Sequence, residues 1–270
     1  MNDARHPFDI ALELSGDAPE LRRATTSDAY WNMVSPFGGV TAAIMLKAML
    51  DHPRRVGDPL QFTINYLGPM VAGDYDIGVE LLRANRGNQH WAMRLVQGGE
   101  TLVHAVAICA TRRDTWAHTE AQRPQVPAAA DCPPTPPRRE TGFLQRYEFR
   151  FAHGKPFADN EDSLSHVWVR DVPPRPLDFP ALTAICDSFL PRIFLRRREF
   201  VPIGTVSMNI YFHAGAATLA RQGDASVLTS AQGQVFAGGY FDQHGQVWGQ
   251  SEGGTDTLLA ATQQIVWYKQ

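Results

Sequence analysis

Cysteine is scarce in this chain: Cys109, Cys132 and Cys186 are the only three in 270 residues. Their odd number and wide spacing exclude a disulfide framework and a CxxC metal or redox motif, and point to reduced thiols in an intracellular protein. No apolar run approaches the roughly 18 residues of a membrane-crossing helix. The opening MNDARHPFDIALELSG lacks the apolar stretch of a secretory leader, so a cytoplasmic protein without a membrane partner is expected. A dominant charge is missing too: the formal net charge of −3 gives no bulk attraction to nucleic acid. The basic run Arg196-Arg197-Arg198 reads as a helix end, where cations complement the dipole. The nine histidines show no ligand spacing, so neither a metal nor another cofactor is expected.

One absence settles a motif. The stretch Trp248-Gly249-Gln250-Ser251-Glu252-Gly253-Gly254 contains G-x-S-x-G, the signature of a nucleophile elbow. An elbow needs a strand, a sharp turn and a helix, followed in sequence by an acid and a histidine. No histidine follows His244, and Ser251 lies between two strand-like runs with glycines around it. Ser251 is read as a turn residue.

What the chain does have is one pattern written twice. Hydrophobic residues make up 44% and charged residues 20%, enough for a substantial core. Residues 113–142 are rich in proline without any period and read as an extended linker. It separates a first unit, 1–112, from a second, 143–270. In the first, Ser35-Pro36-Phe37-Gly38-Gly39 leads into the apolar helix VTAAIMLKAML. Strands follow at LQFTINYLGP, YDIGVELLRA, HWAMRLVQ and TLVHAVAICATR. In the second, strands FLQRYEFRF and SHVWVRD precede a helix over 179–198, broken near Pro191. Strands TVSMNIYFHA, ASVLTSA, VFAGGYFDQHGQVW and TLLAATQQIVWYK complete it. An internal duplication of a helix plus an antiparallel sheet accounts for this order.

Aligning the halves on Tyr66 and Tyr211 and on the Gly-Gly turns sets Thr205 against Leu60, Gln264 against Ile108, and Asp187 near Ile44 or Met45. Three polar groups of the second half thus replace apolar ones. Asp187 sits in the apolar segment AICDSFLP, where an unpaired carboxylate is costly to bury, so it needs partners. A Thr hydroxyl and a Gln amide suit that need, while each residue alone has an ordinary structural reading.

Over some 230 residues the chain resembles the double-hotdog acyl-CoA thioesterases. The resemblance is carried by Phe37-Gly38-Gly39-Val40, Asp187-Ser188-Phe189-Leu190-Pro191, and Thr205 with Asn209-Ile210-Tyr211-Phe212-His213. Gly238-Gly239-Tyr240, Val247-Trp248 and Leu258-Leu259-Ala260 ending at Gln264 complete it. It implies an α+β fold in which two hotdog repeats pair into one sheet around two helices. It also implies hydrolysis of an acyl-CoA substrate by a water held by Asp187, Thr205 and Gln264, without a covalent intermediate. Gly38, Gly39 and Val40 would then offer backbone N–H groups to the oxyanion, although tight packing explains the glycines equally well. The apolar helix faces would line an acyl tunnel. The family's short W-D-x-D-G turn is replaced here by the longer GQSEGGTD. Arg54, Arg55 and Arg86 are candidates for the CoA phosphates, and assembly into a homo-oligomer, dimer or higher, is left open. Two other readings stand beside this one: a non-catalytic acyl-CoA binder, and a hotdog hydratase or dehydratase, whose D-x-N-x-x-H pattern is absent. A base at His213 with Cys186 as nucleophile is disfavoured, since nothing in the sequence lowers the thiol pKa.

Overall fold

The computed structural model describes residues 5–136, 141–250 and 256–269. The first half contributes α1 (Pro7–Ala11), β1 (Leu21–Thr25), β2 (Trp31–Asn32), β3 (Ser35–Pro36), α2 (Gly38–Leu50), β4 (Asp58–Tyr66), β5 (Asp74–Ala84), β6 (Gln89–Gln97) and β7 (Glu100–Ala110). The second contributes β8 (Tyr147–His153), β9 (Ser165–Asp171), α3 (Phe179–Cys186), α4 (Ile193–Arg196), β10 (Ile203–Phe212), α5 (Ala216–Gln222), β11 (Val227–Gln232), β12 (Phe236–Ala237), β13 (Tyr240–Gln250) and β14 (Asp256–Tyr268).

The strands form one antiparallel sheet in the order β1-β5-β6-β7-β4-β10-β14-β13-β11-β9-β8, with β12 added to β13 and β2 pairing only with β3. Each half supplies an equivalent set of four, β5-β6-β7-β4 and β11-β13-β14-β10. They meet at a seam where Ser207, Asn209 and Tyr211 oppose Asn65, Thr63 and Gln61. The double-hotdog architecture implied by the resemblance is therefore present.

The two central helices are apolar on nearly every side, as helices enclosed by a curved sheet must be. In α2, residues 39–46 are all buried, and so is every residue of α3. The helices cross in close contact at Gly39. A Cβ there would lie 2.5 Å from the Phe37 ring and 2.7 Å from the Ala184 carbonyl oxygen.

The second helix is broken around Pro191, as expected. It starts at an Asp178 cap, whose carboxylate accepts from the Ala181 amide at 2.8 Å, and it stops at Cys186, so the break between α3 and α4 contains the proline. The Ser188 hydroxyl donates to the Ile185 carbonyl oxygen at 2.8 Å and ties up the helix end. Pro191 lies just ahead of the Arg192 cap of the short helix α4, and the Phe194 amide donates to its carbonyl oxygen at 3.0 Å. Helix α5 was not foreseen; its AATLARQ lacks the apolar periodicity of a buried helix.

The proline-rich segment docks rather than spanning freely. Cys132 is buried among Trp168, Leu228 and Trp248 on the sheet face turned away from the helices. The Trp168 indole donates to the Pro127 carbonyl oxygen at 3.0 Å, and the Arg123 guanidinium lies 5.2 Å over the same ring. Among the described residues, no helix is long and apolar enough to cross a membrane, and no cluster of His, Cys, Asp and Glu could hold a metal ion.

Candidate active site

Asp187 caps the C-terminal end of α3, directly after Cys186, and this sets its geometry. At a helix end its side chain projects past the helix toward the N-terminus of α2. A Cβ on Gly38 would lie 2.6 Å from its Oδ2 and 3.3 Å from the Tyr66 hydroxyl, so only glycine leaves room there for the carboxylate. The Gly39 amide donates to Asp187. The Gln264 Nε2 donates to its Oδ1 at 3.0 Å and to the Cys186 carbonyl oxygen at 3.2 Å, and also contacts the Met208 sulfur at 3.1 Å.

Asp187 remains half-buried, so water can reach part of it. Protein atoms crowd the rest, and burial raises its carboxyl pKa from 3.8 to about 7 despite the lowering effect of the Gln264 and Gly39 hydrogen bonds. Their own burial, and after it the charge of Asp187, push the phenol of Tyr66 and the thiol of Cys186 upward; burial and then Asp171 do the same to the Tyr147 phenol. A carboxylate poised near neutral pH beside groups that hold their protons has the character of a general base.

Thr205 reaches the same side of the sheet by an irregularity. In β10 the inward residues are Met208, Ile210 and Phe212, so strict alternation would turn Thr205 outward. A bulge between Thr205 and Ser207 inserts Val206, shifts the phase and pairs Thr205 with the inward Val266. Thr205 thus shares a face with Gln264, which pairs with Met208. Its hydroxyl makes no hydrogen bond to Asp187 or Gln264 among the described residues.

The β4 strand carries a matching bulge between Pro59 and Gln61, and this corrects the internal alignment. Superposing the bulges makes Thr205 the counterpart of Pro59 rather than Leu60. Phe62 becomes the counterpart of Met208, and since Phe62 pairs with Ala107, Gln264 corresponds to Ala107 rather than Ile108. The Tyr66 and Tyr211 anchor was one residue out of step. Tyr66 points inward, its hydroxyl donating to the Gly38 carbonyl oxygen at 2.8 Å, whereas Tyr211 is 51% exposed. Aligning the caps that open the two helices, Phe37 and Asp178, sets Asp187 against Leu46, next to Met45. The substitution of polar for apolar residues survives the correction.

The three residues expected at the oxyanion differ in their commitments. Gly39 spends its amide on Asp187, and the Val40 amide donates to the Phe37 carbonyl oxygen at 3.1 Å. Gly38 accepts at its carbonyl from Tyr66. Of the proposed phosphate ligands, Arg55 is engaged by the carbonyls of Leu50 and Gly57. Burial and the nearby Arg112 lower the pKa of His213. Cys186 is fully buried, which disfavours it further as a nucleophile. Ser251, Gly253 and Gly254 lie outside the described residues. An open groove lined by Asp28, Trp31 and Ala72 includes none of the expected site residues.

Two residues behind the site were missed. Gln243 of β13 donates from Nε2 to the Gln264 Oε1 at 2.8 Å, and the Arg192 Nε donates to the Gln243 Oε1 at 3.0 Å. Alternation offered a signal for Gln243, which shares the buried face of β13 with Phe241. Arg192 was hidden inside the apolar run FLPRIF.

Two family models match the chain: the acyl-CoA thioesterase N-terminal domain over residues 27–110 and the acyl-CoA thioesterase C-terminal domain over residues 127–268. No curated protein matches the sequence. Among solved structures, a protein of unknown function with a hot dog fold from Alicyclobacillus acidocaldarius is 42% identical, with 99% of each chain covered and a TM-score of 0.94. The acyl-CoA thioesterase II TesB2 from Mycobacterium marinum is similar at 20% identity over 97% of this chain and 98% of its own, with a TM-score of 0.76.

Proposed function

Because the chain belongs to the acyl-CoA thioesterase family, we propose that it hydrolyses an acyl-CoA thioester to a free acid and CoA with Asp187 as general base toward water. The observation that carries this reading is the 3.0 Å hydrogen bond from Gln264 to a carboxylate whose pKa is raised to about 7.

At neutral pH about half of such a carboxylate is ionised and able to take a proton. A water bound between Asp187, Thr205 and Gln264 attacks the thioester carbon as Asp187 removes its proton. The carbonyl oxygen becomes an oxyanion beside the N-terminus of α2, where the helix dipole favours negative charge. Collapse of the tetrahedral intermediate expels the CoA thiolate, which takes up the proton held by Asp187. A thiolate leaves readily, so no acyl-enzyme is needed. Gly38 permits this arrangement because a side chain there would occupy the space of the carboxylate.

Release of free thiol from a panel of acyl-CoAs tests the proposal. Turnover is expected on at least one medium-to-long or branched acyl chain. Equal turnover by wild type and Asp187→Asn would remove the proposed base.

A further inference from the structure

We infer that Arg192 and Gln243 form a positioning relay that holds the Gln264 amide in one of its two orientations, with the NH2 group on Asp187. The inference builds on the reading of Asp187 as the base. A glutamine amide has nearly the same shape when turned over, but its two ends have opposite polarity, so packing alone selects poorly between them. Arginine breaks that ambiguity because a guanidinium only donates. The Arg192 Nε donates at 3.0 Å to Gln243, which must therefore present its oxygen there. The Gln243 NH2 is left facing Gln264, 2.8 Å from its Oε1. The Gln264 NH2 then faces Asp187 Oδ1, the Cys186 carbonyl oxygen and the Met208 sulfur, all acceptors. Reversing either amide would set oxygen against oxygen or N–H against N–H.

The relay is shielded from bulk solvent. Arg192, Gln243 and Gln264 are 0%, 2% and 5% exposed, so bulk water does not compete for the Arg192–Gln243 and Gln243–Gln264 bonds. The remaining partners of Arg192 are neutral: the Ser163 and Ala231 carbonyl oxygens, the Ser165 hydroxyl and the Leu190 carbonyl oxygen. Among the described residues no carboxylate is hydrogen-bonded to it. Burial lowers its pKa to about 9, which still leaves a cation at neutral pH. An uncompensated buried cation is a costly way to anchor a loop, and a donor that can never reverse is what the relay requires.

The test is the titration of Asp187 followed by NMR of its labelled side-chain carboxyl in wild type, Gln243→Leu, Gln264→Leu and the double variant. The groups facing Asp187, namely Tyr66 from β4, Tyr147 from β8 and Cys186 from α3, are all shifted upward and stay neutral between pH 5 and 9. A residue-specific signal also separates it from Asp171, the other carboxyl raised to about 7. Both single variants are expected to raise the Asp187 pKa by about one unit, through loss of a charge-assisted hydrogen bond. The double variant should shift no further than Gln264→Leu, and the acid limb of kcat/KM should move with the titration. A structural anchor alone would lower thermal stability without moving that pKa. A wild-type pKa in Gln243→Leu, or fully additive shifts in the double variant, overturns the relay. Absence of turnover by the wild-type protein would instead sink the hydrolase reading and leave the titration comparison standing.

Discussion

Replacing Asp187 with asparagine should make the protein more stable and far less active, and the gain in stability should depend on pH. Burial raises the carboxyl pKa from 3.8 to about 7. At about 1.4 kcal/mol per unit, the full ionised-state penalty is about 4 kcal/mol. Solvent reaching part of the side chain reduces this, and about 2–4 kcal/mol is expected. A carboxyl whose folded pKa is raised destabilises the fold only when ionised. The penalty is absent below pH 3.8, grows between that value and about 7, and is complete above it. Asparagine keeps an acceptor oxygen for Gln264 and Gly39 but never ionises. Urea unfolding at pH 8 should therefore show the variant more stable by about 2–4 kcal/mol, shrinking to about 1–2 kcal/mol at pH 5. In the same preparation, thiol release should fall by about two orders of magnitude or more. An Asp187→Asn protein that is no more stable than wild type at pH 8 would refute the claim that burial holds this carboxylate near neutrality.

Other perturbations probe the same site from different sides. The kcat/KM of the wild-type enzyme should fall with a one-proton slope below about pH 7, to roughly a tenth of its plateau at pH 6, whereas Asp171→Asn should leave that limb in place. Gly38→Ala would place a methyl 2.6 Å from the Asp187 Oδ2; kcat should drop at least about tenfold while circular dichroism stays native, and unchanged kcat would show that the carboxylate has room to move. Thr205→Val keeps the shape and removes the hydroxyl, so kcat should fall by about tenfold with little change in thermal midpoint; an equal loss of midpoint and no loss of kcat would reassign Thr205 to packing. Ser251→Ala should leave thiol release unchanged, and abolished turnover would revive the nucleophile-elbow reading.

The repeat, the four-stranded sets of the two halves and the starts of α2 and α3 were legible because each rests on local pattern: alternation for β9 and β14, an apolar run behind two glycines for α2, turn glycines between strands. The break after α3 was legible too, because Pro191 has no N–H for the Asp187 carbonyl and its ring crowds that group. How the helix end is closed was not: the Ser188 hydroxyl donates to the Ile185 carbonyl oxygen, a local bond that leaves no periodic trace. The short elements α1, β1 and α5 lack such a pattern and were not foreseen.

The internal alignment shows a subtler limit. Matching one tyrosine to another gave a register one residue out, and in a sheet that reverses the facing of every side chain. It nevertheless found Thr205 and Gln264, because the slip applied equally to β10 and β14, and both were compared with apolar neighbours of their true counterparts. The bulge could not be read from the sequence, since VSMNIYF is ordinary strand sequence whether or not Val206 is the extra residue. Yet the bulge is what turns Thr205 inward. Paired bulges at Leu60 and Val206 show that the irregularity belongs to the repeat itself. Pro59 in the first half has no hydroxyl to present there, and Ala107 no amide. The fold therefore provides two equivalent inward positions on each side of the seam, and only the second copy fills them with a hydroxyl and an amide, the amide hydrogen-bonded to Asp187.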